Sequence, residues 1–338
     1  MGCINDKASN LEKEETIQKD QQLNILPYSE EFKEQNLPTR PFRLTQSLQG
    51  GGALNEFRGV QFSPDGTKLI SGDAGIDVDV FAQVWDVSTG NVLQTFKFKS
   101  SIQEVRFNVK DSNNFFCVFM NNPITELNIS SGNVVRTFDK QPLQLYSFDM
   151  SLDGTKMVTG YEDNSIILWD VASGKQLKTL QDSGAVNSVC FSPDGTKIAS
   201  GLDNTVKIWD IASSQILTTI KAANDNEFGN VNRVHFSPDG MKLASASSTV
   251  KIWDVSSGQM IKNLPDSEAF CVRFSPDGKY LITGGYEKSV KVWNVSSGVL
   301  LQELKEHYSG VNNVAISRDG TKIASAGNDE KIKIWERS

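Results

Sequence analysis

Residues 186–220 read VNSVCFSPDGTKIASGLDNTVKIWDIASSQILTTI, and this one stretch holds four short apolar-rich runs separated by three turn signals. Val186 to Phe191 is followed by Ser192-Pro193-Asp194-Gly195, where Pro presets the first central φ of a type I turn and Gly relieves its exit. Lys197 to Ser200, Thr205 to Trp209 and Gln215 to Ile220 are the other runs, with turns at Leu202 to Asn204 and after Trp209. Runs this short, bounded this way, read as strands, and short turns pair consecutive strands antiparallel. The stretch is therefore a four-stranded antiparallel sheet of about forty residues.

The pattern recurs. Trp85, Trp169, Trp209, Trp253, Trp293 and Trp335 are spaced by 84, 40, 44, 40 and 42 residues. The gap of 84 is two periods, and its midpoint falls on Leu127-Asn128, followed by Ile129-Ser130-Ser131-Gly132 as Trp253-Asp254 is followed by Val255-Ser256-Ser257-Gly258. Ser-Pro-Asp-Gly recurs at 63–66, 237–240 and 275–278, with Ser151-Leu152-Asp153-Gly154 and Ser317-Arg318-Asp319-Gly320 as variants. Seven units result, one without its Trp. A lone four-stranded sheet cannot cover both faces, so neighbouring units must stack, and radial closure protects their edges.

The Trp-Asp dipeptides, the Ser-Pro-Asp-Gly turns and the period resemble the WD-repeat family over roughly residues 41–338. The resemblance implies an all-β fold, a seven-bladed β-propeller of four-stranded antiparallel sheets. Trp335-Glu336-Arg337-Ser338 follows the third strand of unit seven directly, so that sheet needs a strand from elsewhere. Phe42 to Leu48 reads like the fourth strands Asn91 to Phe96 and Lys175 to Leu180, and is expected to complete blade seven and clasp the ring. The family also places a hydrogen-bonded His, Ser/Thr, Asp, Trp set within a blade; here the matching residues are His307, Ser325, Asp329 and Trp335, a structural set rather than a catalytic triad. Blade two departs furthest, with Asn108-Val109-Lys110-Asp111 for the turn and Leu127 for Trp.

Composition narrows the function. The net charge of -7, with 34 basic and 41 acidic residues interspersed, gives no electrostatic footprint for a nucleic-acid backbone, so no nucleic-acid partner is expected. Four cysteines without C-x-x-C spacing fit a reducing, cytoplasmic setting. Two histidines leave little material for a metal site or a His-dependent centre, and Gly50-Gly51-Gly52 precedes a strand, unlike a phosphate loop. No cofactor, metal, catalytic residue or small-molecule substrate is expected. The resemblance implies binding, and the expected partners are other proteins.

In the family one end of the ring, made of the loops between strands two and three and between blades, carries partner contacts. Mapped repeat by repeat, the second residue of the first-strand pattern gives Arg58, Gln103, Tyr146, Asn187, Asn232, Phe270 and Asn312 as candidate partner-binding residues. Arg, Tyr and Phe are types suited to interface anchors. Blade one has 14 positions from Ser71 to Trp85 where blade four has 9 from Ser200 to Trp209, and the longer loop carries Asp73, Asp77 and Asp79. Those acids read as a solvated loop, as a receptor for a basic peptide, or as a weak calcium site that lacks the Gly and Glu of the helical calcium loop.

Residues 1–40 differ in texture: charged, rich in Gln and Glu, and without sustained apolar periodicity, the composition of a disordered or marginally helical tail. Met1-Gly2-Cys3 resembles the start of dually acylated proteins, with myristate on Gly2 and palmitate on Cys3, although Asp6 stands where that motif has Ser or Thr. One myristoyl chain anchors only marginally, so Cys3 would supply the second anchor at the cytoplasmic face of a membrane. The expectation is a non-enzymatic interaction scaffold, tethered if acylated; the alternative is a soluble subunit of a cytosolic or nuclear multiprotein complex, such as a ubiquitin-ligase substrate receptor or an assembly factor.

Overall fold

A computed structural model describes residues 40–50, 56–75, 78–120, 122–139, 143–222 and 230–337. The expectations for Gly2 and Cys3, for the rest of the tail up to residue 39, and for Asp77 lie outside the described residues. Among the described residues twenty-eight strands form seven four-stranded antiparallel sheets. Blade four shows how the sequence builds each one: Ser188–Phe191, Lys197–Gly201, Thr205–Asp210 and Ile216–Lys221 pair in order. The protein is a seven-bladed β-propeller.

The turn chemistry explains why the first two strands meet as they do. In blade four Ser192 Oγ donates to Asp194 Oδ1 at 2.5 Å and accepts the Lys197 N–H at 2.9 Å, while Gly195, at φ 68°, donates its N–H to the Ser192 carbonyl. That positive φ is the reason the fourth turn residue is Gly. The serine holds the carboxylate with its O–H, and the native pKa of Asp194 drops to about 2. Blade two turns with other residues in a loop one residue longer, the Asn108 N–H donating to the Asn114 carbonyl where the Ser192 N–H donates to that of Lys197. Asn108 Oδ1 accepts the Lys110 N–H at 3.0 Å, Asp111 Oδ1 accepts the Asn113 N–H at 3.0 Å, and Leu127 is buried where the others carry Trp.

The core lies between blades rather than within them. Seven clusters of buried apolar residues each join two neighbouring blades; one, for instance, packs Val158, Ile166 and Leu180 of blade three against Val189, Ile198 and Trp209 of blade four. Small residues at the end of the second strand let the next blade in: a Cβ on Gly201 would stand 2.7 Å from Val231 Cγ1, and one on Gly160 2.6 Å from Val186 Cγ1. Stacked units that depend on their neighbours are what the repeat period requires.

Blade seven closes as expected. Arg43–Gln49 pairs antiparallel with Lys331–Glu336, from Arg43 opposite Glu336 to Gln49 opposite Lys331. Phe42 is buried beside it, its N–H donating to Gln302 Oε1 of blade six, and the Arg337 guanidinium lies 5.4 Å from the Phe42 ring centroid. The first strand of the ring thus seals both the last sheet and its neighbour.

Candidate functional site

Antiparallel pairing puts the Ser-Pro-Asp-Gly turns and the turns after the Trp-Asp dipeptides at one end of the ring, because Lys197 pairs Asp210 and Lys242 pairs Asp254. The loops between strands two and three and between blades lie at the other end. The first strands line the central channel that joins the two.

At the end away from the turns stand the seven residues read from the repeat. Arg58, Gln103, Tyr146, Phe270 and Asn312 each occupy a register shift of the first strand, between Phe57 and Gly59 in blade one and between Val311 and Asn313 in blade seven, for example. A bulge leaves its extra residue outside the ladder and re-aims the side chain. Asn187 and Asn232 come directly before the first-strand segments Ser188–Phe191 and Arg233–Phe236. Several of the side chains reach the next blade: Arg58 Nη1 donates to Gln103 Oε1 at 3.1 Å, Asn232 Nδ2 to the Ala269 carbonyl at 3.0 Å, and Asn312 Nδ2 to the Phe57 carbonyl at 2.9 Å. Tyr146 is the most open of the seven, 37% exposed.

Of the three acids of blade one, Asp73 and Asp79 are described, and each is held by its own neighbours. Asp73 is buried in the hairpin, where its Oδ1 accepts the Phe81 N–H. Asp79 is bridged by Lys97 at 2.6 Å and Lys99 at 2.5 Å, which hold its carboxyl below the usual range through their hydrogen bonds. Among the described residues no group of three or more His, Cys, Asp and Glu side chains is arranged to hold a metal ion.

His307, Ser325 and Asp329 form one connected set beneath Trp335. His307 Nδ1 lies 2.9 Å from both Asp329 oxygens and its Nε2 2.5 Å from Ser325 Oγ, with the His307 and Trp335 rings 6.1 Å apart. The imidazole is fully buried, so the set ties strands together. Blades four and six contain a variant that sequence reading missed. Asp182 takes the place of His307: Trp209 Nε1 donates to Ser200 Oγ at 2.9 Å, Ser200 Oγ to Asp182 at 2.8 Å, and Lys207 to Asp182 at 2.5 Å. In blade six Trp293, Thr283, Asp266 and Lys291 repeat the arrangement. The signal was an Asp about eighteen residues before the Ser or Thr and a Lys two before the Trp.

The turn end of the channel was also missed. Gln61, Arg106, Asp149, Cys190, His235 and Arg273 all stand one place before the last residue of their first strands and line a cavity of about 440 Å³. Three of them satisfy a backbone N–H of the following blade: Phe107 donates to Gln61 Oε1 at 2.6 Å, Phe191 to Asp149 Oδ2 at 2.9 Å, and Phe274 to His235 Nδ1 at 3.3 Å. As an acceptor at Nδ1, His235 is neutral, and burial together with Arg273, Arg106 and Arg233 holds its pKa well below the ordinary value.

Glu104 is the centre of the charges. Arg106 donates to it from Nε at 3.0 Å and Nη2 at 2.7 Å, Arg233 Nη1 lies at 3.3 Å and Arg273 Nη2 at 3.8 Å. Burial alone would raise the Glu104 pKa, but the three guanidinium groups outweigh it and leave it at about 2. Arg273 is held down to about 9 by burial and by Arg106 and Arg233. Burial pushes the thiols of Cys117, Cys190 and Cys271 up, and all three are free.

Comparison with known proteins bears on the whole ring. The chain is similar to proteins named eukaryotic translation initiation factor 3 subunit I: that of Culex quinquefasciatus, 29% identical over 40% of this chain and 44% of its own length, and that of Danio rerio, 25% identical over 70% of this chain and 64% of its own. A third, from Taeniopygia guttata, is 24% identical over 70% of this chain and 63% of its own. The chain thus spans less than two thirds of the length of these relatives. The family described as WD domain, G-beta repeat matches residues 132–170, 174–210, 215–254, 258–294 and 298–336, more than half of the chain. With five matched repeats inside a ring of seven blades, the chain belongs to the WD-repeat family.

Proposed function

We propose that this chain is a non-catalytic subunit of a multiprotein complex, docking other proteins on the end of the ring away from the turns. The observation that carries the reading is the placing of its open aromatic groups. Among the described residues the exposed aromatic side chains are Tyr146, Tyr286 and Tyr308, and all three lie at that end, with Tyr286 65% and Tyr308 80% exposed on blade six and on its connection to blade seven. Tyrosine gives large contact area at low entropic cost and anchors interfaces disproportionately. The name of the similar proteins, a subunit of an initiation factor, supports membership of an assembly over an isolated scaffold. Acylation at Gly2 and Cys3 is a separate proposal, supported by Met1-Gly2-Cys3 alone.

The test is affinity capture from native cells with the full chain as bait, beside a Tyr286→Ala/Tyr308→Ala variant. Exposed substitutions of this kind leave stability within about 0.5 kcal/mol each, so the variant is expected to fold and to lose stoichiometric partners. Recovery of the same partners by both proteins, or of none by the wild type, would overturn the assignment of this face.

A further inference from the structure

The turn end of the channel carries a charge imbalance that the docking face does not use. Arg106, Arg233 and Arg273 face two carboxylates, Glu104 and Asp149, and the remaining ionisable ring, His235, is neutral. Three positive charges against two negative leave one in excess. The excess is localised by geometry: Arg106 takes Glu104 through two hydrogen bonds and Arg233 through one, whereas Arg273 stays 3.8 Å away, beyond hydrogen-bond range. Among the described residues the Arg273 guanidinium has no hydrogen-bonded acceptor, although it lines the cavity.

The rim has its own pattern. Pro193, Pro238 and Pro276, the second residues of three turns, line the cavity, and so do the residues that replace Pro in the two variant turns, Leu152 and Arg318. Leu152 is 68% exposed, a large apolar side chain open to water beside a cationic cavity. An apolar rim with one cation over a cationic floor fits a chain segment with an acid between apolar neighbours.

We propose that this pocket takes an aspartate or glutamate side chain from an extended segment of a protein partner, its carboxylate forming a paired hydrogen bond with Arg273 and its apolar neighbours covering Leu152 and the turn prolines. The proposal rests on the reading of the chain as a protein-docking ring and gives it a second, opposite surface. Charge selects carboxylate over phosphate. One carboxylate matches the single deep excess, whereas a phosphorylated side chain brings close to two negative charges against a lining that already holds Asp149, with Glu104 behind it on Arg106.

Random heptapeptides displayed on phage would be panned against the full chain, and the selected consensus synthesised with its acid, with the matching amide, and with phosphoserine at that position. The expected result is a consensus with one Asp or Glu flanked by apolar residues, binding about tenfold tighter than its amide, with Arg273→Gln abolishing the preference. Arg318→Glu, a change at the open rim, is expected to weaken the acidic peptide several-fold and serves where Arg273→Gln fails to fold. Absence of binders, a consensus without an acid, or an acid preference that survives both variants would overturn the pocket. Tighter binding of phosphoserine, or displacement of the peptide by glutarate at equal concentration, would overturn the peptide carboxylate as its ligand. Loss of this pocket while cellular partners are still captured leaves the docking face standing; loss of both removes the platform.

Discussion

The two mouths of the channel are built from the same seven strands and treat polar groups in opposite ways. At the mouth away from the turns, Arg58, Asn232 and Asn312 are spent on hydrogen bonds to uncharged acceptors of the next blade, including the seam between blades seven and one. At the turn end, buried charges face one another and do not cancel, and Arg273 is left short of an acceptor. One mouth fastens the ring while its tyrosines reach outward; the other keeps its charged groups buried in the channel. Polarity at a channel mouth therefore says little until its partners are counted.

The largest test of the difference is Glu104→Ala. Removing the shared acid leaves Arg106, Arg233 and Arg273 buried together, and breaking a buried ion pair in this way costs about 3–5 kcal/mol. An unfolding free energy from urea denaturation lowered by that amount is expected; a loss under about 1 kcal/mol would mean that water, not Glu104, balances the arginines. Acid should act next. Glu104, Asp65, Asp153 and Asp194 all have native pKa values of about 2. Carboxylates lowered in the native state contribute stability that is complete above their unfolded values near 4 and is lost as pH falls through the native ones. Stability is thus expected to decline from about pH 6.5, as the unfolded chain takes up the proton that buried His235 refuses, and to fall more steeply from about pH 4 toward pH 2, followed by denaturation at each pH; stability unchanged between pH 7 and about 4 would contradict it. The smallest effect belongs to the other mouth: Asn232→Ala and Asn312→Ala each remove one neutral interblade bond, about 1 kcal/mol. Equal costs at the two mouths would erase the comparison.

The blades were legible because their signals are local: Trp209, Gly195 and the serine of each turn act within a few residues of where they stand. Blade two was legible by register, and Leu127 and Asp111 carry out the same tasks with different chemistry. The seven mouth residues were found by reading one column of the repeat, although the bulges that aim five of them have no one-letter signature. The burial of Asp73 and the approach of Lys97 and Lys99 to Asp79 have no signal in the spacing of the acids. The charge network was harder still. Glu104 and Arg233 come from one column, Arg106 and Arg273 from another, and ring closure alone makes them neighbours.

The pairing of Arg43 with Glu336 also has a consequence in time. Ribosomes add about 5–20 residues per second, so roughly 15–60 s separate the making of the two partners. Throughout that interval the first strand has no sheet to join and the growing ring stays open. A polypeptide cut short anywhere along the way is left unsealed, with bare strand edges of the kind that chaperones and proteases meet. The clasp is therefore also a completion mark: only a chain translated through to Glu336 can close its own ring.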